Sequence, residues 1–271
     1  MEYKQLCTGG MIPVLGLGTW TVGGGMSPDF TKDQHYLEII HHAVALGYSH
    51  IDTAEMYGGG HTEELLGRAL ENLPRHELFI TSKVWHTHLR TKQVIHALDS
   101  SLKRLKMDYV DLYLIHWPSS RIPLDETFDG LNKLVQQGKI HHLGVSNFNL
   151  EQMQLAQKLS ATPIITNQVS YSLTNRRAQE NGVLEYCQQK GILFTAYTPF
   201  DRGAVLRNKG VQQMAQKYGA TPAQIALYWL IRQPGVITIP MSANPDHLTA
   251  NLGALDLQIA PGDERKLDQL R

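Results

Sequence analysis

Short apolar runs alternate with amphipathic stretches from one end of this 271-residue chain to the other. Several runs are continuous β-branched or aromatic segments without polar alternation, which is typical of parallel strands buried on both faces. The eight runs are VLGLGT (14–19), SHIDT (49–53), LFITSK (78–83), YVDLYLIH (109–116), HLGVS (142–146), IITNQV (164–169), ILFTAY (192–197) and VITIP (236–240). This order of strands and helices predicts an α/β fold with a parallel sheet.

The stretches between these runs carry signals for the starts and ends of helices. Glu63 and Glu64 are acids that suit the positive first turn of a helix. Gly138 is suited to end the helix that starts near residue 125. Capping boxes are indicated at two helix starts, Asn149 with Gln152 and Thr221 with Gln224, the second followed by Pro222 at the first helical position.

The β-α units follow one another without a linker or a break in composition. Parallel α/β barrels commonly use about 250 residues as one domain. We therefore predict a single (β/α)8 TIM barrel over residues 1–271. The opening MEYKQLCTGGMIPV is expected to form an N-terminal β-hairpin before the first barrel strand. A doubly wound open sheet is the alternative.

The composition excludes several classes of protein. Lys plus Arg and Asp plus Glu each number 25, so no net field draws the chain to nucleic acid or to an anionic membrane. Cys7 and Cys187 lie far apart, which favours reduced thiols in the cytosol over a disulfide. The start has no apolar signal-peptide core, and no run of about 18 apolar residues could span a membrane. We predict a soluble, cytoplasmic protein with neither nucleic-acid nor membrane partners.

Four polar residues fall at, or just beyond, the ends of three consecutive predicted strands. Asp52 ends the second strand, Tyr57 follows on its loop, Lys83 ends the third strand and His116 ends the fourth. Each residue alone fits an ordinary role as a cap, a solvated charge or a core hydrogen-bonding group. Because barrel enzymes place their chemistry at the C-terminal ends of strands, the four together predict an active site.

A proton-transfer role links these side chains. A tyrosine titrates near pH 10, which is too high for efficient proton exchange at neutral pH. Lys83 is expected to lower the pKa of Tyr57, with Asp52 holding the ammonium charged and fixed. His116 is expected to donate to the oxygen of a carbonyl substrate. The hydride must come from another group, and a nicotinamide is the economical donor.

Eight stretches together resemble the aldo-keto reductases, in that family's order and over nearly the whole chain. They are GLGTW (16–20), HIDTAEMYGGG (50–60), TSKVW (81–85), YVDLYLIHWP (109–118), GVSNF (144–148), NQVSY (167–171), AYTPF (196–200) and IPMS (239–242). The resemblance implies that Asp52, Tyr57, Lys83 and His116 form a catalytic tetrad, with Tyr57 as the general acid. The chain ends soon after its last helical pattern, as in prokaryotic-type members with a short C-terminal loop, so an open pocket is expected.

The resemblance also implies a nicotinamide coenzyme extended across the barrel top. GLGTWTVGGG does not fit a Rossmann motif, because the third glycine is misplaced and no helix opens there. Ser146, Asn147 and Gln168 would bind the carboxamide, and Tyr197 would stack on the nicotinamide ring. The expected coenzyme contacts are Gly18, Thr19, Trp20, Asp52, Ser146, Asn147, Gln168, Tyr197, Thr198, Pro199, Phe200, Ser242, His247 and Asn251.

The segment IPMSANPDHLTAN (239–251) departs from the family pattern. Met241 and His247 stand where the family often has a lysine and an arginine that bind the adenosine 2′-phosphate. Asn244 and Pro245 fit the cap and first position of a helix, whose N-terminus would still direct N–H groups at this site. Since two cations are lost, we expect the chain to use NADPH (NADP) but to accept NADH as well.

Three tryptophans, Trp20, Trp85 and Trp117, each follow a site segment directly. The resemblance implies that they line a substrate pocket with Tyr57 and His116. The predicted activity is NAD(P)H-dependent reduction of aldehydes or ketones to alcohols. The chain is expected to be a monomer, with a weak oligomer as the alternative. No metal is expected, since the histidines lack ligand spacing.

Two other functions remain open at this stage. Some members of the family serve as channel-associated subunits, so one alternative is a regulatory subunit that senses the nucleotide. The other is a metal-dependent hydrolase on the same barrel, using Asp52 and His116. A hydrolase would leave Lys83 and Tyr57 without roles.

Overall fold

The computed structural model describes residues 1–270. An antiparallel hairpin of β1 (Tyr3–Gln5) and β2 (Met11–Pro13) precedes eight parallel strands. The parallel strands are β3 (Leu17–Gly18), β4 (His50–Asp52), β5 (Phe79–Val84), β6 (Val110–Ile115), β7 (Ile140–Ser146), β8 (Ile164–Ser170), β9 (Leu193–Tyr197) and β10 (Val236–Thr238). Each predicted strand is present, and every one pairs with its neighbours in chain order.

The helices surround this sheet. They are α1 (Asp33–Ala45), α2 (His61–Leu70), α3 (Thr91–Leu105), α4 (Leu124–Gln136), α5 (Leu150–Leu159), α6 (Arg177–Glu180), α7 (Val183–Gln189), α8 (Ala204–Arg207), α9 (Lys209–Lys217), α10 (Pro222–Ile231), α11 (Pro245–Leu252) and α12 (Pro261–Gln269). Within residues 1–270, no helix is long and apolar enough to cross a bilayer.

The first and last barrel strands join, which closes the sheet. Parallel bridges link Leu15 with Thr238 and Gly18 with Met241. The Gly16 N–H donates to the Thr238 carbonyl at 2.9 Å, and the Thr238 N–H donates to the Val14 carbonyl at 2.9 Å. The predicted (β/α)8 barrel with its N-terminal hairpin is confirmed, and the open doubly wound sheet is wrong.

The hairpin covers the N-terminal ends of the barrel strands. Lys4 Nζ donates to the carbonyl of Val236, the first residue of β10, at 2.5 Å, and to that of Ile231 at 2.8 Å. Leu6 and Ile12 belong to the same apolar cluster as Leu112 of β6. Because this end is covered, the opposite end, where the strands finish, is the one left open for a site.

The predicted helix signals are confirmed at α4, α5 and α10. Asn149 Oδ1 accepts from the Gln152 N–H at 2.9 Å, and the Gln152 side chain accepts in return from the Asn149 N–H at 3.0 Å. Thr221 and Gln224 form the same reciprocal pair. These bonds satisfy backbone donors that a helix start leaves without partners. Gly138 follows α4 with a φ of 72°, a left-handed conformation that suits glycine.

Helices α2 and α3 pack closely because α2 carries a glycine at the contact. A Cβ at Gly67 would lie 2.3 Å from the Arg104 carbonyl oxygen and 2.9 Å from that of Leu105. Both atoms belong to the backbone, so a methyl group could be accommodated only by moving one helix away from the other.

We expect Gly67→Ala to lower the free energy of unfolding by about 1–3 kcal/mol through overpacking. This loss should exceed the gain of about 1 kcal/mol that alanine brings to a helix. Urea unfolding measures the difference. Gly262→Ala in α12 is the control, since the nearest atom to its Cβ lies 3.9 Å away, and it should keep or raise stability. Equal effects at both positions would contradict the packing argument.

Candidate active site

The four predicted catalytic residues meet at the C-terminal ends of β4, β5 and β6. Asp52 is the last residue of β4, Lys83 is the fifth residue of β5 and His116 directly follows β6. Tyr57 begins a short 3₁₀ turn, Tyr57–Gly60, that leads into α2. All four side chains are buried, and Lys83 is fully so.

Lys83 lies at the centre of the group. Its Nζ donates to Asp52 Oδ1 at 2.5 Å, to the Thr53 carbonyl at 2.7 Å and to the Tyr57 hydroxyl at 3.3 Å. The second carboxylate oxygen of Asp52 accepts from Gln168 Nε2 at 2.7 Å. The ammonium therefore has its charge balanced on one side and contacts the phenol on another.

The glycines after Tyr57 turn the chain sharply. Gly58, Gly59 and Gly60 have φ values of 57°, 60° and 101°, conformations that glycine adopts without the cost of a side chain. A Cβ at Gly58 would also lie only 2.7 Å from the Gly23 carbonyl. The tight turn places the Tyr57 hydroxyl 3.3 Å from Lys83 Nζ.

The pKa of Tyr57 differs from the sequence-based expectation. Burial raises the pKa of the phenol above its usual value, and the Lys83 charge, which acts in the opposite direction, does not outweigh it. For Lys83, burial disfavours the ammonium, but the Asp52 carboxylate and the Tyr57 hydroxyl together outweigh burial and raise the pKa of Lys83. The expected lowering of the Tyr57 pKa is therefore wrong in this structure. The phenol keeps its proton at neutral pH, which is the state that a proton donor needs.

His116 is a neutral imidazole beside Tyr57. Burial, together with the positive charges of Lys83 and His86, lowers its pKa to about 2. Its ring centroid lies 5.7 Å from that of Tyr57 and 5.1 Å from that of Trp85. Its Nδ1 is buried without a hydrogen-bond partner in the described part of the chain.

The residues predicted to bind a carboxamide form one network next to this group. The Tyr197 hydroxyl donates to Asn147 Oδ1 at 2.8 Å, and Asn147 Nδ2 donates to Ser146 Oγ at 3.0 Å. Ser146 Oγ donates to the Gln168 carbonyl at 2.8 Å. Since Gln168 also contacts Asp52, the network continues into the charged centre.

The segment after β3 approaches the site from the other side. Thr19 Oγ1 donates to the Asp52 carbonyl at 2.9 Å, and the Trp20 ring lies 5.0 Å from that of Tyr57. The bridge between Gly18 and Met241 brings this segment beside the end of β10. Trp117 differs from Trp20 and Trp85, because no ring contact joins it to the tetrad within residues 1–270.

The loop after β9 holds the predicted residues Thr198, Pro199 and Phe200. Thr198, Asp201 and Arg202 have φ values of 55°, 45° and 51°. Left-handed non-glycine residues cluster at functional sites. The charge of Arg202 acts on the Tyr197 hydroxyl, so this exposed cation belongs to the site surroundings. None of the sequence patterns above indicates Arg202, although it is the first cation after the end of β9.

The segment after β10 has the predicted helix start. Asn244 Oδ1 accepts from the Asp246 N–H at 2.8 Å, and Pro245 is the first residue of α11. Ser242 Oγ accepts from the Asn244 N–H at 3.1 Å. His247 is exposed in the first turn, whereas Asn251 is buried.

The residues present fit a nicotinamide coenzyme. Hydroxyl and amide groups of Ser146, Asn147 and Gln168 lie beside the tetrad, and such groups pair well with a carboxamide. The ring of Tyr197, at the end of β9, is only half-buried. The N-terminus of α11 offers backbone N–H groups of the kind that bind phosphates.

A parallel barrel with a buried lysine, carboxylate and phenol at its strand ends is the architecture of a barrel enzyme. A family model described as the aldo/keto reductase family matches residues 14–271, and the chain belongs to this family of oxidoreductases.

Relatives agree with this assignment. The methylglyoxal reductase YeaE of Escherichia coli is 36% identical, over 99% of this chain and 95% of its own. The thermostable aldo-keto reductase Tm1743, solved with the inhibitor epalrestat, is 44% identical with a TM-score of 0.98 and full coverage of both chains. An aldo-keto reductase of Klebsiella pneumoniae, solved with NADPH, is 36% identical with a TM-score of 0.90, over 99% of this chain and 95% of that one.

The low pKa of His116 should make stability fall in acid. The unfolded imidazole takes up a proton near pH 6.5, whereas the folded one does so only near pH 2. Stability is therefore lost as the pH falls below 6.5. His116→Asn should make the pH dependence of the unfolding free energy shallower by about 1.4 kcal/mol per pH unit between about pH 6 and pH 4. Parallel curves for the two proteins would show that His116 is charged when folded.

Proposed function

We propose that this chain reduces aldehydes or ketones to alcohols with NADPH, and that Tyr57 is the general acid. The observation that carries the proposal is the position of Lys83 Nζ, which contacts the Asp52 carboxylate at 2.5 Å and the Tyr57 hydroxyl at 3.3 Å. In this arrangement, the protonated phenol of Tyr57 can give its proton to the oxygen of a carbonyl as that oxygen becomes strongly basic. The Lys83 ammonium then stabilises the phenolate that is left.

The residues have distinct roles in this reaction. When bound, reduced nicotinamide supplies the hydride to the carbonyl carbon. Tyr57 gives its proton to the carbonyl oxygen, so that hydride and proton together complete the alcohol. Lys83 stabilises the phenolate left behind, and Asp52 keeps Lys83 charged and in place. The neutral His116 donates a hydrogen bond that orients the carbonyl oxygen.

The coenzyme would be held by the two sides of the barrel mouth. We infer that Ser146, Asn147 and Gln168 bind its carboxamide and that Tyr197 stacks on its ring. The nucleotide would run past Gly18, Thr19 and Trp20, and its phosphates past the left-handed loop after β9 and the N-terminus of α11. The remaining contacts we propose are Asp52, Thr198, Pro199, Phe200, Ser242, His247 and Asn251.

The substrate would enter through an open, partly aromatic mouth. Trp20 and Trp117 are 42% and 43% exposed, while Trp85 is half-buried beside His116. An apolar cleft with a few polar groups suits small molecules. Since curated relatives are named as reductases of methylglyoxal and glyoxal, we propose small aldehydes and ketoaldehydes as the first compounds to test.

Tyr57→Phe tests the proton donor. Positioned proton transfer contributes about 10²–10⁴-fold, so we expect the rate of NADPH oxidation with methylglyoxal to fall by at least that lower factor. The matched control is Tyr171→Phe, which removes another buried hydroxyl, one that donates to Gln233 Oε1 at 3.0 Å. The control should keep its rate. A Tyr57→Phe enzyme that retains more than a tenth of the rate would rule out the role of general acid.

We further propose that this chain discriminates weakly between NADPH and NADH. Met241 carries no charge, and His247 lies exposed in the first turn of α11 and has no guanidinium. A planar guanidinium would instead bind a phosphate through paired hydrogen bonds.

The ratio of kcat/KM for the two coenzymes measures this selectivity. Met241→Lys combined with His247→Arg should raise the preference for NADPH at least about tenfold, equal to about 1.4 kcal/mol, and leave kcat/KM for NADH unchanged. A preference of about 10⁵ in the unaltered chain, equal to about 7 kcal/mol, would refute weak discrimination.

A further inference from the structure

A buried ion pair outside the barrel lies directly behind the catalytic residues. Glu63, in the first turn of α2, is fully buried. Its Oε2 accepts from Arg104 Nε at 2.8 Å and lies 2.7 Å from Arg104 Nη2 as an ion pair, and its Oε1 accepts from Ser82 Oγ at 2.6 Å. The Glu63 cluster, as we call these three residues, therefore joins α2, α3 and β5.

One side of the Glu63 cluster contacts the turn that carries Tyr57. Arg104 packs against Gly60, where a Cβ would lie 2.9 Å from both Arg104 Cδ and Nε. Gly60 is the last residue of the Tyr57–Gly60 turn, and Glu63 follows it by three residues. The turn cannot move toward α3 because the guanidinium occupies that space.

The other side of the cluster holds the strand that carries Lys83. Ser82 directly precedes Lys83 in β5. Because neighbouring side chains in a strand point to opposite faces, Ser82 contacts Glu63 outside the barrel while Lys83 contacts Asp52 and Tyr57 inside it. A single carboxylate thus fixes both the phenol's turn and the ammonium's strand.

Stability alone is a weak reason for such a pair. The cost of removing two charges from water can exceed their attraction, and apolar replacements of buried pairs are often neutral or stabilising. A fixed geometry is valuable in a site of this kind, where a displacement of about 1 Å can cost about 10² in rate.

We propose that Glu63 and Arg104 are positioning residues that set the distance between Tyr57 and Lys83. The proposal rests on the proposed role of Tyr57 as proton donor. Within residues 1–270, neither side chain has a hydrogen bond to Asp52, Tyr57, Lys83 or His116. Their effect on catalysis passes through the turn after Tyr57 and through β5.

Glu63→Gln keeps the shape of the side chain and removes the charge. We expect kcat to fall about tenfold, a part of the 10²-fold that misplacement can cost, while coenzyme affinity, measured by quenching of tryptophan fluorescence, stays unchanged. The alkaline limb of the pH profile for reduction should move to higher pH, because an ammonium held farther from the phenol opposes the raised pKa of Tyr57 less.

Asp111→Asn is the matched control. Asp111 is a partly buried carboxylate that, like Glu63, is paired with an arginine, here Arg75 Nη2 at 2.6 Å. It supports β5 by accepting from the Ile80 N–H at 2.8 Å. It acts at the opposite end of the same strand. This variant should lose stability without a change in kcat or in the pH profile.

Parallel measurement of Tyr57→Phe separates the possible results. If Tyr57→Phe is inactive and Glu63→Gln matches the unaltered enzyme in kcat and pH profile, the positioning role is wrong and the proposed function stands. The same conclusion follows if Asp111→Asn loses as much kcat as Glu63→Gln. If Tyr57→Phe stays active, the proposed function and the positioning role both fail. Should Glu63→Gln not fold, Ser82→Ala takes its place and should show the same pH shift with a smaller loss of kcat.

Discussion

The buried contact between Lys83 and Asp52 is the constraint on which the site depends. A fully buried ammonium is costly unless it is paired and hydrogen-bonded. Lys83 meets that requirement with one carboxylate and one carbonyl, and the remaining contact is the Tyr57 hydroxyl. The charge that the fold must neutralise is therefore the same charge that stabilises an ionised phenol. The contact between Asp52 at the end of β4 and Lys83 near the end of β5 is therefore needed both for stability and for the proposed chemistry.

Burial has opposite consequences for the groups around this pair. It raises the pKa of Tyr57 and lowers the pKa of His116 to about 2. Both shifts favour the neutral form, since a dry environment disfavours a new charge. The site thus presents a protonated phenol and a neutral imidazole around one fixed cation. In the proposed reaction, Lys83 would reduce the free-energy cost of ionising the phenol when its proton leaves.

The sequence was sufficient for the fold and for the identity of the four clustered residues, but not for their energetics. Strand runs and capping boxes depend on neighbouring residues, so all eight barrel strands and the cap at Asn149 could be predicted. The net shift of the Tyr57 pKa depends on the balance between burial of the phenol and the charge of Lys83, 3.3 Å away. Neither the burial nor this distance can be read from the spacing of residues in the sequence. The pairing of Glu63 with Arg104 joins residues 41 positions apart, and no local pattern indicates it. The Thr53 carbonyl gives no signal at all, because every residue has one.

The two halves of the barrel mouth are built from different interactions, and this difference follows the chemistry. Around β4 and β5, charged contacts hold Lys83 from inside the barrel and Ser82 from outside it. Around β7 to β9, neutral hydrogen bonds link Ser146, Asn147 and Tyr197, and Asn147 has a left-handed backbone. Neutral networks can exchange internal partners for those of a ligand at little electrostatic cost, whereas a buried ion pair cannot be opened without exposing an unpaired charge. In the proposed reaction, the half that keeps its geometry during proton transfer is therefore the half locked by charge. The half proposed to admit and release a coenzyme is the one held by exchangeable hydrogen bonds.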